Sequence, residues 1–394
     1  MAYRKLLLLF AGIVSLIFFS CKDNPTNVGV GLLKNNLVNL KVLDSSTDSL
    51  NQTSSYFQRT IPLGSGTKLL LGNYNNTTGS VLLRYLFFNI PDSVLTDFQN
   101  KNAVITSAVV YMYPSLTYGD SLANLDFTVH KVNSYWGTST FDADSLHGLS
   151  IDANDISTNR NFTDSLTTFS LDKTVIGNWL SAYIDSNYSA IEGIYLKPST
   201  DSKKLVAFQA FSSINGNYSK LTLVFEKAGA YSDTISFFPV GDISVVQRTN
   251  PPQVKSGEIV VQGGVTYNSK LWFDASKIPA NSTINQATLT LSVDSVESHY
   301  STSVYNGITL WNLADSSSKA IDSSKSVSLS LSGSTIQGDI TSLVQKWIDT
   351  HKNQGMLMED YNQIEGIDYY AIKGSKFPDY SARPKLKILY TTRN

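Results

Sequence analysis

The chain has 394 residues, a formal net charge of −1 and 16% charged side chains, below the roughly 25% usual for soluble domains. That balance excludes the basic footprint of a nucleic-acid binder, and the length allows two domains of about 150 residues each. Polarity is carried by Ser, Thr, Asn and Tyr rather than by charge, with 21 Tyr and five Trp in the whole chain.

At the N-terminus, Arg4-Lys5 precedes a predominantly apolar run from Leu6 to Phe19 and then Ser20-Cys21, the order of a secretory signal. The run is shorter than the roughly 20 apolar residues of a comfortable spanning helix. Ile17-Phe18-Phe19-Ser20-Cys21 resembles the lipobox of bacterial lipoproteins, with Phe18 where that box usually has Leu. The resemblance implies cleavage before Cys21 and acylation of its thiol. Cys21 is the only cysteine, so an exported chain has no disulfide to build and its one thiol sits where acylation needs it. Two or more acyl chains hold stably at a bilayer, each buried methylene contributing about 0.8 kcal/mol. Residues 22–31, Lys-Asp-Asn-Pro-Thr-Asn-Val-Gly-Val-Gly, have no hydrophobic period and read as a tether. Lys22-Asp23 also resembles the charged signals that send some lipoproteins outward. The expected location is a Gram-negative envelope, at the outer membrane or the cell surface, with the lipid bilayer as a partner through Cys21.

The mature chain then repeats one series of local patterns. Gln58-Arg59-Thr60 returns as Gln247-Arg248-Thr249, and the strand Arg84 to Phe88, closing on Ile90-Pro91, returns as Lys270 to Phe273 with Ile278-Pro279. The strand Ile105-Thr-Ser-Ala108-Val-Val-Tyr-Met112 matches Ile284-Asn-Gln-Ala287-Thr-Leu-Thr-Leu291, both with the alternation of a half-buried strand. A second alternating strand follows each, at Leu125–Val129 and Ile308–Trp311. Helical spacing joins Val175, Ile176, Trp179, Leu180 and Tyr183, and again Ile340, Leu343, Val344, Trp347 and Ile348, with Asp172 and Asp339 as candidate N-caps. This spacing assigns Trp179 and Trp347 to the core. Each copy continues through a stretch from Asn to Gly and an apolar run, Asn187 to Gly193-Ile194 in the first and Asn353-Gln354-Gly355-Met356 in the second, and closes on strands at Lys220–Phe225 and Lys385–Tyr390. The first copy has the longer loops, largely between Trp136 and Phe169, a polar stretch expected to lie outside the core. Turn residues at Asn73–Asn76 and Gly263-Gly264, with about ten short strands per copy, argue for jelly-roll-type sandwiches.

The expectation is a mainly β chain: two tandem β-sandwich, jelly-roll-like domains, each with one short α-helix, after a lipoprotein signal peptide. Residues 1–20 are the signal, 21–33 the lipidated tether, 34–228 the first sandwich and 229–394 the second, with the junction at 227–233.

Each copy resembles the DNRLRE, or disaggregatase-related, repeat, on the basic aromatic strand, Ile-Pro, Ile-x-x-Ala-x-apolar-x-apolar, a Trp-bearing helix and Asn-x-Gly. The second copy also keeps Arg383-Pro384-Lys385-Leu386, where the first has Tyr218-Ser219-Lys220-Leu221. The resemblance covers most of residues 55–392. Members are similar to carbohydrate-binding modules, some implicated in binding uronate polymers, which implies a polysaccharide or matrix glycan, acidic or neutral, as ligand.

No residues form a nucleophile or metal motif. His130, His147, His299 and His351 stand outside any His-Glu-x-x-His or Gly-x-Ser-x-Gly pattern. His351, after the second helix, reads as a favourable charge at that helix end. Acid pairs such as Asp142 with Asp144, or Glu359 with Asp360, are expected by chance among 32 acids and identify no glycosidase dyad. The chain is therefore read as non-catalytic, without a cofactor, although a structural calcium ion held by loop oxygens fits the fold class. Exposed aromatic rings stack on sugars, which makes Tyr135 and Trp136 the leading platform. Trp272 and Trp311 depend on which strand face they occupy, and Arg84, Lys131 and Lys270 are cations able to pair with uronate carboxylates. Two other functions fit the same sequence: a structural or adhesive lipoprotein binding protein partners, and an unrecognised glycan lyase or hydrolase.

Overall fold

Period-two alternation is realised as antiparallel pairing throughout the computed structural model, which describes residues 40–213, 216–301 and 305–392. The signal segment, Cys21 and the tether 21–33 lie outside the described residues. The fold is mainly β, built of curled antiparallel sheets that form sandwiches.

In the first half, a five-stranded sheet runs Tyr231–Phe237, Lys220–Lys227, Val104–Met112, Thr167–Leu171, Ser157–Phe162. It shares a core with a seven-stranded sheet ordered Pro114–Tyr118, Leu205–Gln209, Lys68–Tyr74, Thr77–Tyr85, Ile194–Pro198, Phe127–Lys131, with Pro239–Arg248 also paired to Thr77–Tyr85. Val81, Leu83, Phe127 and Ile194 from one sheet meet Val110, Phe169, Leu221 and Phe225 from the other, all sealed from solvent. In the second half, eleven strands form one curled sheet around Leu271, Phe273, Ala287, Leu310, Met356 and Ile388.

Most strand pairs recur in both halves, but Gly307–Asp315 pairs with Ala320–Ser332 and joins the second half into one sheet, whereas Phe127–Lys131 and Ser157–Phe162 end separate sheets; the terminal strands are exchanged. Gln52–Gln58 lies before the first half in sequence, yet it pairs with Tyr267–Phe273 of the second, from Gln58 opposite Tyr267 to Gln52 opposite Phe273. Lys41–Asp44 likewise pairs with Lys385–Thr392, and Leu43 enters the second core. Their counterparts in the first half are Pro239–Arg248 on Thr77–Tyr85 and Tyr231–Phe237 on Lys220–Lys227. In strand pairing the division therefore falls near residues 60 and 249, not at 228. The segment 227–233 is the tip of a hairpin, with Lys227 opposite Tyr231 and Ala230 N–H donating to the Lys227 carbonyl at 2.9 Å. A hairpin forms there because strand residues flank a short Gly-bearing turn on both sides, the same signature a linker would show.

The Ile-x-x-Ala spacing, which breaks strict alternation, has a structural cause. Ile105 opposes Phe225 and Ser107 opposes Val224, leaving Thr106 as an extra residue. In the second half Ile284 opposes Tyr390 and Gln286 opposes Leu389, leaving Asn285 extra. A bulge at the same place in each half turns both the Ile and the Ala inward.

The two expected helices span Lys173–Ile184 and Thr341–Thr350, and bury Trp179 and Trp347 as packing residues. Asp172 is the N-cap of the first and accepts from Thr174 N–H at 2.7 Å. Asp339 is not the cap of the second: Ile340 holds that position without a side-chain capping bond, and Asp339, one residue earlier, accepts from Thr341 N–H at 2.7 Å. A third helix, Asp92–Gln99, follows Pro91; its eight residues are too short a window for the spacing of Val94, Leu95 and Phe98 to stand out in sequence. The polar-looking loop after Trp136 is also more than an outer excursion. Trp136 and Phe141 pack with Leu63, Leu82, Val132, Ile243 and Val245 into a second small core over the outer face of the seven-stranded sheet.

Gly193 and Gly355 stand at matching places in the two halves, and the fold requires glycine at both for the same reason. They have φ of 92° and 89°, and a methyl group on either would press on a strand carbonyl, Leu83 or Leu271. Gly193→Ala is expected to lower stability by at least about 1–2 kcal/mol, read from the midpoint of urea unfolding. Removing residues 1–60 should leave the Tyr267–Phe273 and Lys385–Thr392 strands unpaired on one side. The shortened chain should melt earlier than the 34–394 chain, and a synthetic 40–60 peptide should restore the lost stability. An unchanged melting curve for residues 61–394 would refute the exchange.

Candidate functional site

The strand Thr77–Tyr85 carries Arg84 at its C-terminal end, opposite Gly241 on Pro239–Arg248, where Val240 is extruded as a bulge. The loop after Phe127–Lys131 brings Tyr135 and Trp136 to this point. The Arg84 guanidinium lies 5.1 Å from both ring centroids. Its Nη1 donates to the Trp136 carbonyl at 2.8 Å and faces Glu192 Oε2 at 3.4 Å. Trp136 Nε1 in turn donates to the Glu192 carbonyl at 2.8 Å. Glu192 precedes the obligatory Gly193, so the turn that lets the chain graze Leu83 also aims the carboxylate at Arg84.

Trp136 is 2% exposed, with Phe141 edge-on at 6.0 Å between centroids and its far edge beside Gly241. This corrects the expectation of an open platform there: the loop folds back over the sheet, and burying this indole gains more than exposing it. The exposed ring is its neighbour Tyr135, 74% accessible. Arg84 thus has a cation–π contact with one buried and one open ring.

A second aromatic group adjoins this one through Asp242. The Phe211 N–H donates to Asp242 Oδ2 at 2.6 Å, and burial raises the Asp242 carboxyl above the usual carboxylate range despite that bond. Phe211, Tyr218 and Phe238 pack with centroids 5.3–6.1 Å apart. Phe88, Phe211, Phe238 and Val240 are all exposed, so one end of the first sandwich presents Tyr135, a partly covered guanidinium and a Phe-rich surface. The sequence did not single out Phe211 and Phe238. They meet only because Pro239–Arg248 pairs with the first half.

The remaining expected residues lie elsewhere. Lys131 ends its strand half-buried, opposite Ile194, beside the loop that carries Tyr135. Trp311, half-buried, donates to Glu359 Oε1 at 2.5 Å; burial raises that carboxyl, while this bond and Arg59 oppose the rise. Trp272 donates to the Asn353 carbonyl at 3.2 Å and lines a hollow of about 260 Å³ with Ile278, Trp347 and His351. Neither joins the Arg84 group.

At the corresponding place in the second half the scaffold is kept and the chemistry is changed. Lys270 Nζ donates to the Ser316 carbonyl at 3.1 Å, as Arg84 does to Trp136, and Gln354 Oε1 accepts from Ser316 N–H at 3.3 Å. Gln354 precedes Gly355 as Glu192 precedes Gly193. With Ser316 in the place of Trp136, the aromatic pair is replaced by Asp315-Ser316, and Gln354 stands where Glu192 does. Among the described residues no three acidic, histidine or cysteine side chains converge as metal ligands, and no helix is long and apolar enough to cross a membrane.

No protein-family profile matches the chain, and no curated protein is significantly similar to it.

Arg84→Ala should leave Glu192, whose side chain is 7% exposed, without its cation and remove a bond to Trp136. The expected loss is about 2 kcal/mol or more in urea unfolding, with Arg84→Lys losing less because a cation remains.

Proposed function

We propose that this protein is a membrane-anchored, non-catalytic lipoprotein that binds polysaccharide or matrix glycan, with the first sandwich as the binding half. Acylation of Cys21 supplies the anchor, and the tether leads into strands that complete the second sandwich. The observation that carries the reading is the Tyr135–Arg84–Glu192 group. An aromatic face open on one side stacks on the apolar face of a sugar ring, and a guanidinium at its edge pairs with hydroxyls or a uronate carboxylate. The resemblance to DNRLRE repeats supports the same ligand class. The replacement of Tyr135-Trp136 and Glu192 by Asp315-Ser316 and Gln354 argues that the second half does not share the site.

A second reading, adhesion to protein partners, is favoured by one specific feature: Phe88, Phe211, Phe238 and Val240 form an exposed apolar surface, the kind that marks contact with another macromolecule.

The test is binding of the 34–394 chain to a glycan array and to affinity gels that include acidic polysaccharides. Tyr135→Ala and Arg84→Gln are run beside it, after melting curves confirm that both are folded. Binding that weakens at least about tenfold in Tyr135→Ala, or about 1.4 kcal/mol, supports the glycan site. A folded protein that binds no glycan, but whose protein contacts are lost in Phe211→Ser with Phe238→Ser, moves the assignment to the second reading. Trp136→Ala is a poor probe, since it opens the small core.

A further inference from the structure

The second half contains a carboxylate that the fold leaves without compensation. Asp360 ends the strand Met356–Asp360 and points into the sandwich, 1% exposed, and neither carboxylate oxygen has a hydrogen-bond partner of good geometry. The backbone amides of Tyr361 and Asn362 lie nearest. A second carboxylate, Asp368, is fully buried beside it, with Oδ1 accepting from Ser301 N–H at 2.7 Å and Oδ2 facing Asn362 Nδ2 at 3.5 Å. Leaving an isolated carboxylate in a dry interior costs several kcal/mol unless it is paired, protonated or bound to a metal.

The surroundings are oxygen-rich and cation-poor. Asp360 Oδ2 and the Gly366 carbonyl both border the space that a Gly263 side chain would fill. Tyr118, from the first half, places its hydroxyl against Ile367 N–H at 3.1 Å and next to Asp368. The Tyr370 hydroxyl accepts from Gly307 N–H at 3.0 Å close to both acids. The charged groups around the pair are Glu359, whose strand neighbour is Asp360, and Lys68, which acts on Asp368. Arg59 is engaged by Glu359.

We propose that Asp360, Asp368 and the 361–367 loop between them form a calcium site at the junction of the two halves. Two carboxylates balance one divalent cation. Carbonyl and amide oxygens of the loop, with Asn362 turned to present its oxygen, complete a hard all-oxygen shell of the kind calcium takes from flexible loops. With neither His nor Cys present, the donors do not suit zinc. Two acids and neutral oxygens place the affinity with extracellular modules, around 10⁻⁴–10⁻³ M, suited to an exported protein. Because Tyr118 belongs to the first half, an occupied site would tie the halves together.

The experiment is thermal melting of the 34–394 chain at pH 8 in EDTA, in 10 mM CaCl₂ and in 10 mM MgCl₂, with Asp360→Asn and Asp368→Asn beside the parent. Calcium should raise the parent Tm by several degrees, and magnesium less. Asp360→Asn should melt higher than the parent in EDTA, since it deletes a buried charge, and should lose the calcium response. Without calcium the parent should gain stability as pH falls from 8 toward 5. The folded chain holds a proton that the unfolded chain releases, so stability falls as pH rises from the unfolded carboxylate range up through the raised folded value; calcium should flatten that dependence. Two results overturn the proposal: a parent Tm indifferent to calcium while the pH dependence persists, which assigns the pair to proton sharing, or a calcium response unchanged in both variants.

Discussion

The structure depends on how its open sheet edges are closed. A sandwich of this size ends in strands whose N–H and C=O groups need partners, and here the edges are covered by strands taken from elsewhere in the chain. Gln52–Gln58 and Lys41–Asp44 close the second half, while Pro239–Arg248 and Tyr231–Phe237 close the first. The N-terminal strands thus fasten to the C-terminal half, and the chain returns on itself. Leu70, Tyr118, Val246, Val265 and Ile367 are buried together where the halves meet, with Gln262 Nε2 reaching Thr77 Oγ1 at 3.3 Å and Glu365 Oε1 accepting from Thr67 N–H at 3.0 Å. Closure and junction are one arrangement.

That arrangement also makes the candidate binding surface. Gly241 and Asp242 reach Arg84, Trp136 and Phe211 only because the strand carrying them crosses to the first half. The same backbone frame in the second half holds Lys270, Ser316 and Gln354. A duplicated scaffold therefore carries two chemistries, aromatic rings around a guanidinium in one half and a lysine with Asp315, Ser316 and an amide in the other. Local sequence decides which.

Much of the fold was legible because burial imposes a period. Ile176, Trp179 and Leu180, or Leu289 and Leu291, must recur at helical or strand spacing to reach the core, and Asp172 stands where a cap is needed. Turn chemistry was legible too, at Asn75-Asn76, both with positive φ. Trp136 was misjudged since a tryptophan at the start of a polar loop has no period to report its burial. Phe211 and Phe238 were missed because isolated aromatics in loops carry no local signal.

The sequence alone determined the order of elements, the faces they bury, the capping Asp172 and the glycines at 193 and 355, since each follows from backbone sterics or from local amphipathic pattern. The tertiary structure decided which half each terminal strand completes, that Tyr135 rather than Trp136 faces solvent, and that Asp360 meets Asp368 beside Tyr118. Those outcomes rest on contacts between residues as far apart as Tyr118 and Ile367. No short-range pattern encodes them, because strand pairing is satisfied equally by any free edge until packing selects one.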